Sequence, residues 1–83
     1  MEIRYIEWVD SAGMNHWRSL KEFRRQGISH CQSVGFVLDE TDEYVMLLQS
    51  LDPAVLEDEE SNGDNSIAIP KVAITKSETM RAD

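Results

Sequence analysis

Two β-rich runs, His30 to Leu38 and Glu43 to Gln49, flank the acidic tetrapeptide Asp39-Glu40-Thr41-Asp42. Runs of this length and composition around a short polar break specify an antiparallel hairpin, which commits the middle of the chain to a β domain. In the first run Gln32, Val34, Phe36 and Leu38 face one way and Cys31, Ser33, Gly35 and Val37 the other. Gly35 in mid-strand predicts a bulge or a sharp bend, the device that curls a small sheet toward a barrel. Tyr44 to Leu48 is apolar at every position, so both faces of that strand should be covered. Tyr44, Met46 and Leu48 are therefore candidate self-association residues.

The flanking segments fit the same plan. Ile3 to Val9 carries Ile, Tyr, Trp and Val in weak alternation and reads as the first strand. Ser19-Leu20-Lys21-Glu22 matches a capping box, and Gly27 can close the far end in a left-handed conformation. The spacing predicts one short helix over Leu20 to Gln26, lying on the sheet by Leu20 and Phe23, with Trp17 extending that apolar face or anchoring the loop. Ile67 to Ile69 reads as a short strand ended by Pro70, and Val72 to Thr75 as another, the proline confining that segment to a strand end or a sheet edge.

Eighty-three residues suffice for one domain with a modest core. At about 0.05–0.15 kcal/mol per residue the stability is roughly 4–12 kcal/mol, so the domain gains much from self-association. Within it, residues 52–66 read as an acidic flexible loop, because Glu57 to Ser66 holds five acids and no large apolar side chain. Residues 80–83 read as a frayed tail. The resulting class is mainly β (α+β): a strongly bent antiparallel sheet, or a small SH3-like or Sm-like barrel, of four to five strands with one short helix after the first.

Charge and chemistry narrow the function. The net charge is −8, with residues 1–30 at +1 and residues 31–83 at −9. Such a field repels nucleic acid and favours a basic protein partner, although an ordinary solvated acidic surface would look the same. The basic residues gather on the helix as Arg18, Lys21 and Arg25, beside Trp17. These four are the candidate binding residues, for phosphate or an acidic partner, set against the simpler reading of a solvated amphipathic face. His30 and Cys31 are adjacent, but strand neighbours point to opposite faces and cannot act together. The sequence supplies no catalytic constellation, and no metal or cofactor site is expected. A single cysteine, no secretory leader and no membrane-length apolar run point to a soluble cytoplasmic protein.

Glu7-Trp8-Val9-Asp10-Ser11, Trp17 with Ser19-Leu20, Cys31-Gln32-Ser33-Val34-Gly35, Asp42-Glu43-Tyr44-Val45 and Ile69-Pro70-Lys71-Val72-Ala73-Ile74 occur in that order. In this order of signals the chain resembles a group of small uncharacterised phage and prophage proteins, which implies a bacterial-host cytoplasm but brings no activity to carry over. The run Gly35 to Leu51 followed by Ile69 to Ile74 is similar in outline to the two halves of the Sm motif. It departs from that motif in having no Asn after Asp42 and Val72 in place of a Gly after Lys71. The expected function is that of a non-enzymatic interaction protein of phage type, acting through protein contacts that include homo-oligomer formation. An Sm-like nucleic-acid module using the helix residues, and an acidic DNA mimic using Glu57 to Asp64, are the alternatives.

Overall fold

A computed structural model describes residues 1–11, 17–52 and 62–80. Five strands form one antiparallel sheet: β1 (Ile3–Asp10), β2 (Ser29–Glu40), β3 (Tyr44–Leu51), β4 (Gly63–Pro70) and β5 (Ile74–Met80), in the spatial order β4-β3-β2-β1-β5. One helix, α1 (Leu20–Gln26), lies between β1 and β2, and a 3-10 turn (Lys71–Ala73) joins β4 to β5. The sheet is not closed, since β4 and β5 are its two edges.

β2 organises the molecule. Its first part, Ser29 to Phe36, pairs with β1, and its last part, Phe36 to Glu40, pairs with β3. Phe36 belongs to both ladders, so β1 and β3 engage successive parts of this strand. A methyl at Gly35 would stand 2.8 Å from the Leu48 carbonyl oxygen and 3.0 Å from Leu47 Cβ. The glycine is therefore needed for close approach of the β3 backbone, not for an unusual φ. The irregularity anticipated at Gly35 lies three residues on: the register slips between Val37 and Asp39, leaving Leu38 as the extra residue.

Strand alternation then decides the core. Ile6 on β1, Val45 and Leu47 on β3, and Ile69 on β4 point inward and are buried, with Trp8, Val37 and Ile74 packed against them. The Trp8 indole N–H donates to Ser33 Oγ at 3.0 Å, which satisfies its one polar atom as it enters this layer. Four buried apolar side chains among the described residues make a small core. The Cα radius of gyration, 16.5 Å, exceeds the roughly 12 Å of a compact chain of this size.

Several boundaries differ from the sequence reading for definable reasons. β4 begins at Gly63, not Ile67, because its polar first residues pair with Leu51, Ser50 and Leu48 regardless of their side chains. Met80 pairs with Ile3 and ends β5 instead of fraying. Residues 53–61 of the acidic segment and 81–83 of the tail lie outside the described residues. Lys71–Ala73 turns instead of extending as strand, its Lys71 N–H donating to the Glu43 carbonyl at 2.8 Å.

The helix has the expected bounds. Ser19 caps it, its Oγ accepting from the Glu22 N–H at 3.2 Å, and Gly27 ends it at φ 63°, ψ −147°. Its expected packing fails: α1 buries none of its residues, and Leu20 and Phe23 do not lie in the core. The sheet's interior is already filled by strand residues, so the helix has no inward face to occupy.

Candidate docking surface

The structure brings together the helix residues singled out from the sequence. Arg18 and Trp17 precede Ser19, Lys21 and Arg25 lie on α1, and Arg24 joins them in its last turn. Trp17 is fully exposed, so it neither anchors the loop nor extends a buried face. Leu20 is 69% exposed and Ile28, just past Gly27, 56%. Of these helix cations Arg18 has an ion-pair partner among the described residues, Glu22, at 3.7 Å. The result is an arm carrying both apolar side chains and cationic groups away from the sheet.

Tyr44, Met46 and Leu48 share the outward face of β3, opposite Val45 and Leu47, and are half-buried by their neighbours. Register extends this face across the sheet. Leu48 stands opposite Phe36, Phe36 opposite Ile3 and Ile3 opposite Met80, a continuous apolar row over four strands. Val34 lies beside the row, two residues from Phe36 on the same side of β2, and is 55% exposed. Where β2 leaves β3, a groove of about 340 Å³ opens, lined in part by Val34, Leu48 and Ile67 and bordered by Gln49 and Asn65. Asn65 adopts φ 54° and donates from Nδ2 to Gln49 Oε1 at 2.8 Å, fixing the polar rim. Sequence reasoning missed the groove because it depends on the divergence of two strands.

An ion-pair network, also not read from the sequence, links several elements at one end of the sheet. Arg4 Nε and Nη2 donate to the two oxygens of Glu2 at 2.6 and 3.0 Å, and Nη2 also pairs with Glu40 Oε1 at 3.0 Å. Glu40 Oε2 meets Lys71 Nζ at 3.2 Å, and Thr79 Oγ1 donates to Glu2 Oε2 at 2.9 Å. The network thus joins β1, the end of β2, the 3-10 turn and β5. Hydrogen bonds from Arg4 hold both the Glu2 and Glu40 carboxyls below the ordinary value, Lys71 adding to the effect at Glu40. With every charge compensated, the arrangement is a tie between elements.

The remaining chemistry is sparse. Cys31 and His30 occupy successive positions on β2, opposite Trp8 and Val9, so they project from opposite faces. Cys31 Sγ lies 4.0 Å from the Ser29 carbonyl oxygen. Among the described residues no group of three or more His, Cys, Asp or Glu is placed to hold a metal ion, and no helix is long and apolar enough to cross a membrane. The acidic hairpin tip is organised by Thr41, whose Oγ1 accepts from the N–H groups of Glu43 and Tyr44 at 3.1 and 3.2 Å. Such a turn uses the hydroxyl to satisfy backbone donors.

No protein-family model matches the chain, and neither the curated proteins nor the solved structures include a significant match to it.

Proposed function

We propose that this chain is a non-enzymatic interaction protein that works by docking against another protein, and that its sheet, open between the edge strands β4 and β5, follows the plan of an SH3-like or Sm-like fold. The observation that carries the functional reading is the helix arm: seven residues, none buried, with Trp17 and Leu20 fully or largely exposed beside it. Isolated helices shorter than about 12–15 residues are marginal in water, so an amphipathic one of this length draws its stability from a surface it covers. This fold reading is supported by the sharing of β2 by two ladders and by the ion pairs that link Arg4 of β1 through Glu40 to Lys71 of the 3-10 turn. The phage or prophage origin rests on the sequence resemblance alone.

A second reading, an Sm-like nucleic-acid module, draws on the exposure of Trp17 next to Arg18, since an exposed aromatic beside cations can stack on a base. The −9 carried after residue 30 opposes it. Titration of labelled single- and double-stranded nucleic acid at physiological salt separates the two, alongside Arg18→Glu with Arg25→Glu. The protein-contact reading expects no measurable binding by either form. Submicromolar binding by the wild type, abolished in the variant and falling steeply with salt, replaces that reading with the nucleic-acid one. The DNA-mimic alternative involves residues 57–64, of which 57–61 lie outside the described residues and Gly63 and Asp64 begin β4.

A further inference from the structure

The helix arm and the groove are two exposed features of opposite character on one molecule. The arm is apolar and cationic: Trp17, Leu20 and Phe23 accompany Arg18, Lys21, Arg24 and Arg25. The groove is lined by uncharged residues, Val34, Leu48 and Ile67 among them, on a body whose described residues 31–52 and 62–80 hold seven acids against two lysines, with Asp64 next to the rim residue Asn65. Neither fills the other within the molecule, since Trp17 is wholly exposed and Val34 is 55% exposed in the same structure.

We infer that the helix arm of one copy docks in the groove between β2 and β3–β4 of a second copy. This rests on the protein-contact reading above and names the partner as the chain itself. Charge complementarity selects that occupant. A cationic amphipathic arm suits an apolar receptor on an acidic body, and the same protein supplies both, with Asp64 beside the rim of the groove. The groove, at about 340 Å³, has room for an aromatic side chain, and tryptophan is the residue most enriched in such interface pockets. Size also agrees. An aromatic buries about 150–250 Å², so Trp17 with Leu20 and the exposed part of Phe23 bring about 300–400 Å² per arm. Two reciprocal arms and the surfaces they cover then total roughly 1,200–1,600 Å², the range of a specific interface. Exchange of arms about a two-fold axis gives a closed dimer.

Sedimentation velocity of wild type and two variants tests this. The arm variant is Trp17→Asp with Leu20→Asp; the groove variant is Val34→Arg with Ser66→Arg, which sets cations against the cationic arm. All four positions are exposed, so far-ultraviolet spectra and unfolding temperatures should match the wild type, and Ser66→Arg alone serves if the double variant does not fold. The wild type should be dimeric in the micromolar range, and each variant should associate at least roughly tenfold more weakly. The decisive sample is the equimolar mixture. One arm and one groove remain intact there, so a heterodimer should form that neither variant forms alone. A mixture no more associated than its components overturns arm-to-groove docking in favour of like-to-like contacts. A wild type that stays monomeric at high micromolar concentration overturns the second copy as occupant. The protein-contact reading then stands or falls separately, by whether any protein is retained from host lysate by the wild type and lost by the arm variant.

Discussion

Replacing Gly35 by alanine should destabilise the domain even though it sits in a strand with ordinary φ. The added Cβ would lie 2.8 Å from the Leu48 carbonyl oxygen and 3.0 Å from Leu47 Cβ, both on β3. Ordinary contacts at a Cβ are 3.4 Å or more, so β3 must retreat by several tenths of an ångström where it pairs with Phe36 and Val37. Overpacking of this kind costs about 1–3 kcal/mol. The loss of glycine's freedom in the unfolded chain returns about 0.4–1 kcal/mol. The net is a loss of about 1–2 kcal/mol, a substantial part of the roughly 4–12 kcal/mol available. Urea unfolding should show a lower midpoint at unchanged slope, and the melting temperature should fall by about 4–8 °C per kcal/mol. Gly63→Ala is the internal control. Its Cβ would meet Leu48 Cδ1 at 3.0 Å, the end of a side chain that can swing away, and the Ser50 carbonyl oxygen at 3.3 Å, a milder backbone contact than the 2.8 Å at Gly35, so the loss should be smaller than for Gly35→Ala. If Gly35→Ala is as stable as the wild type, the close approach of β2 and β3 is not what requires glycine there.

Arg4→Met should cost about 1–3 kcal/mol, because Glu2 and Glu40 lose charged hydrogen bonds but stay accessible enough to be partly rehydrated; thermal melts at neutral pH measure it. The Glu2 and Glu40 carboxyls are held below the ordinary glutamate value of about 4.5 by Arg4, so their contribution is present above that pH and is lost as pH falls through the lowered values. Wild type and Arg4→Met should therefore converge in stability under acid, and a difference that persists unchanged to pH 2 would refute the linkage. Gly27→Ala, at φ 63°, ψ −147°, should fray α1 by forcing alanine into a backbone region reserved for glycine, yet leave global unfolding nearly unchanged, because the helix is not packed on the core; amide exchange confined to residues 20–26 checks this. Ile6→Ala should cost about 2–5 kcal/mol in the same denaturation assay, since Ile6 is fully buried among Val45, Leu47 and Ile69.

The elements that could be read from the sequence are those whose determinants are local. The α1 bounds follow from Ser19, Glu22 and Gly27, which act within one turn of each other. The β2–β3 hairpin follows from alternation and a polar tip, with its register regular from the tip as far as Asp39 and slipping by one residue before Val37. What escaped depends on curvature. Arg4 meets Glu40 because the far end of β2 bends back over the start of β1, and nothing in either neighbourhood announces it. The polar start of β4 has no apolar pattern and is strand only because β3 offers a ladder. The misplacement of Leu20 and Phe23 has the same origin. An amphipathic period tells that a helix has an apolar side, but whether that side turns inward is decided by how much room the strands leave.

The shared strand β2 also divides folding into two timescales. The β2–β3 and β3–β4 pairings are between neighbours in sequence and can form by hairpin closure in about 1–10 μs. The β1–β5 pairing joins residues nearly the whole chain apart, as the bond from Thr75 Oγ1 to the Glu7 carbonyl, across 68 residues, makes plain. Its loop-closure entropy must be met before any ladder bond forms in return. While the meander waits for β5, the Ile3–Asp10 edge offers its unpaired N–H and C=O groups to any extended segment nearby. At high protein concentration that segment can be the β5 of another molecule, so domain swapping through β5 is the misfolding route that this topology invites.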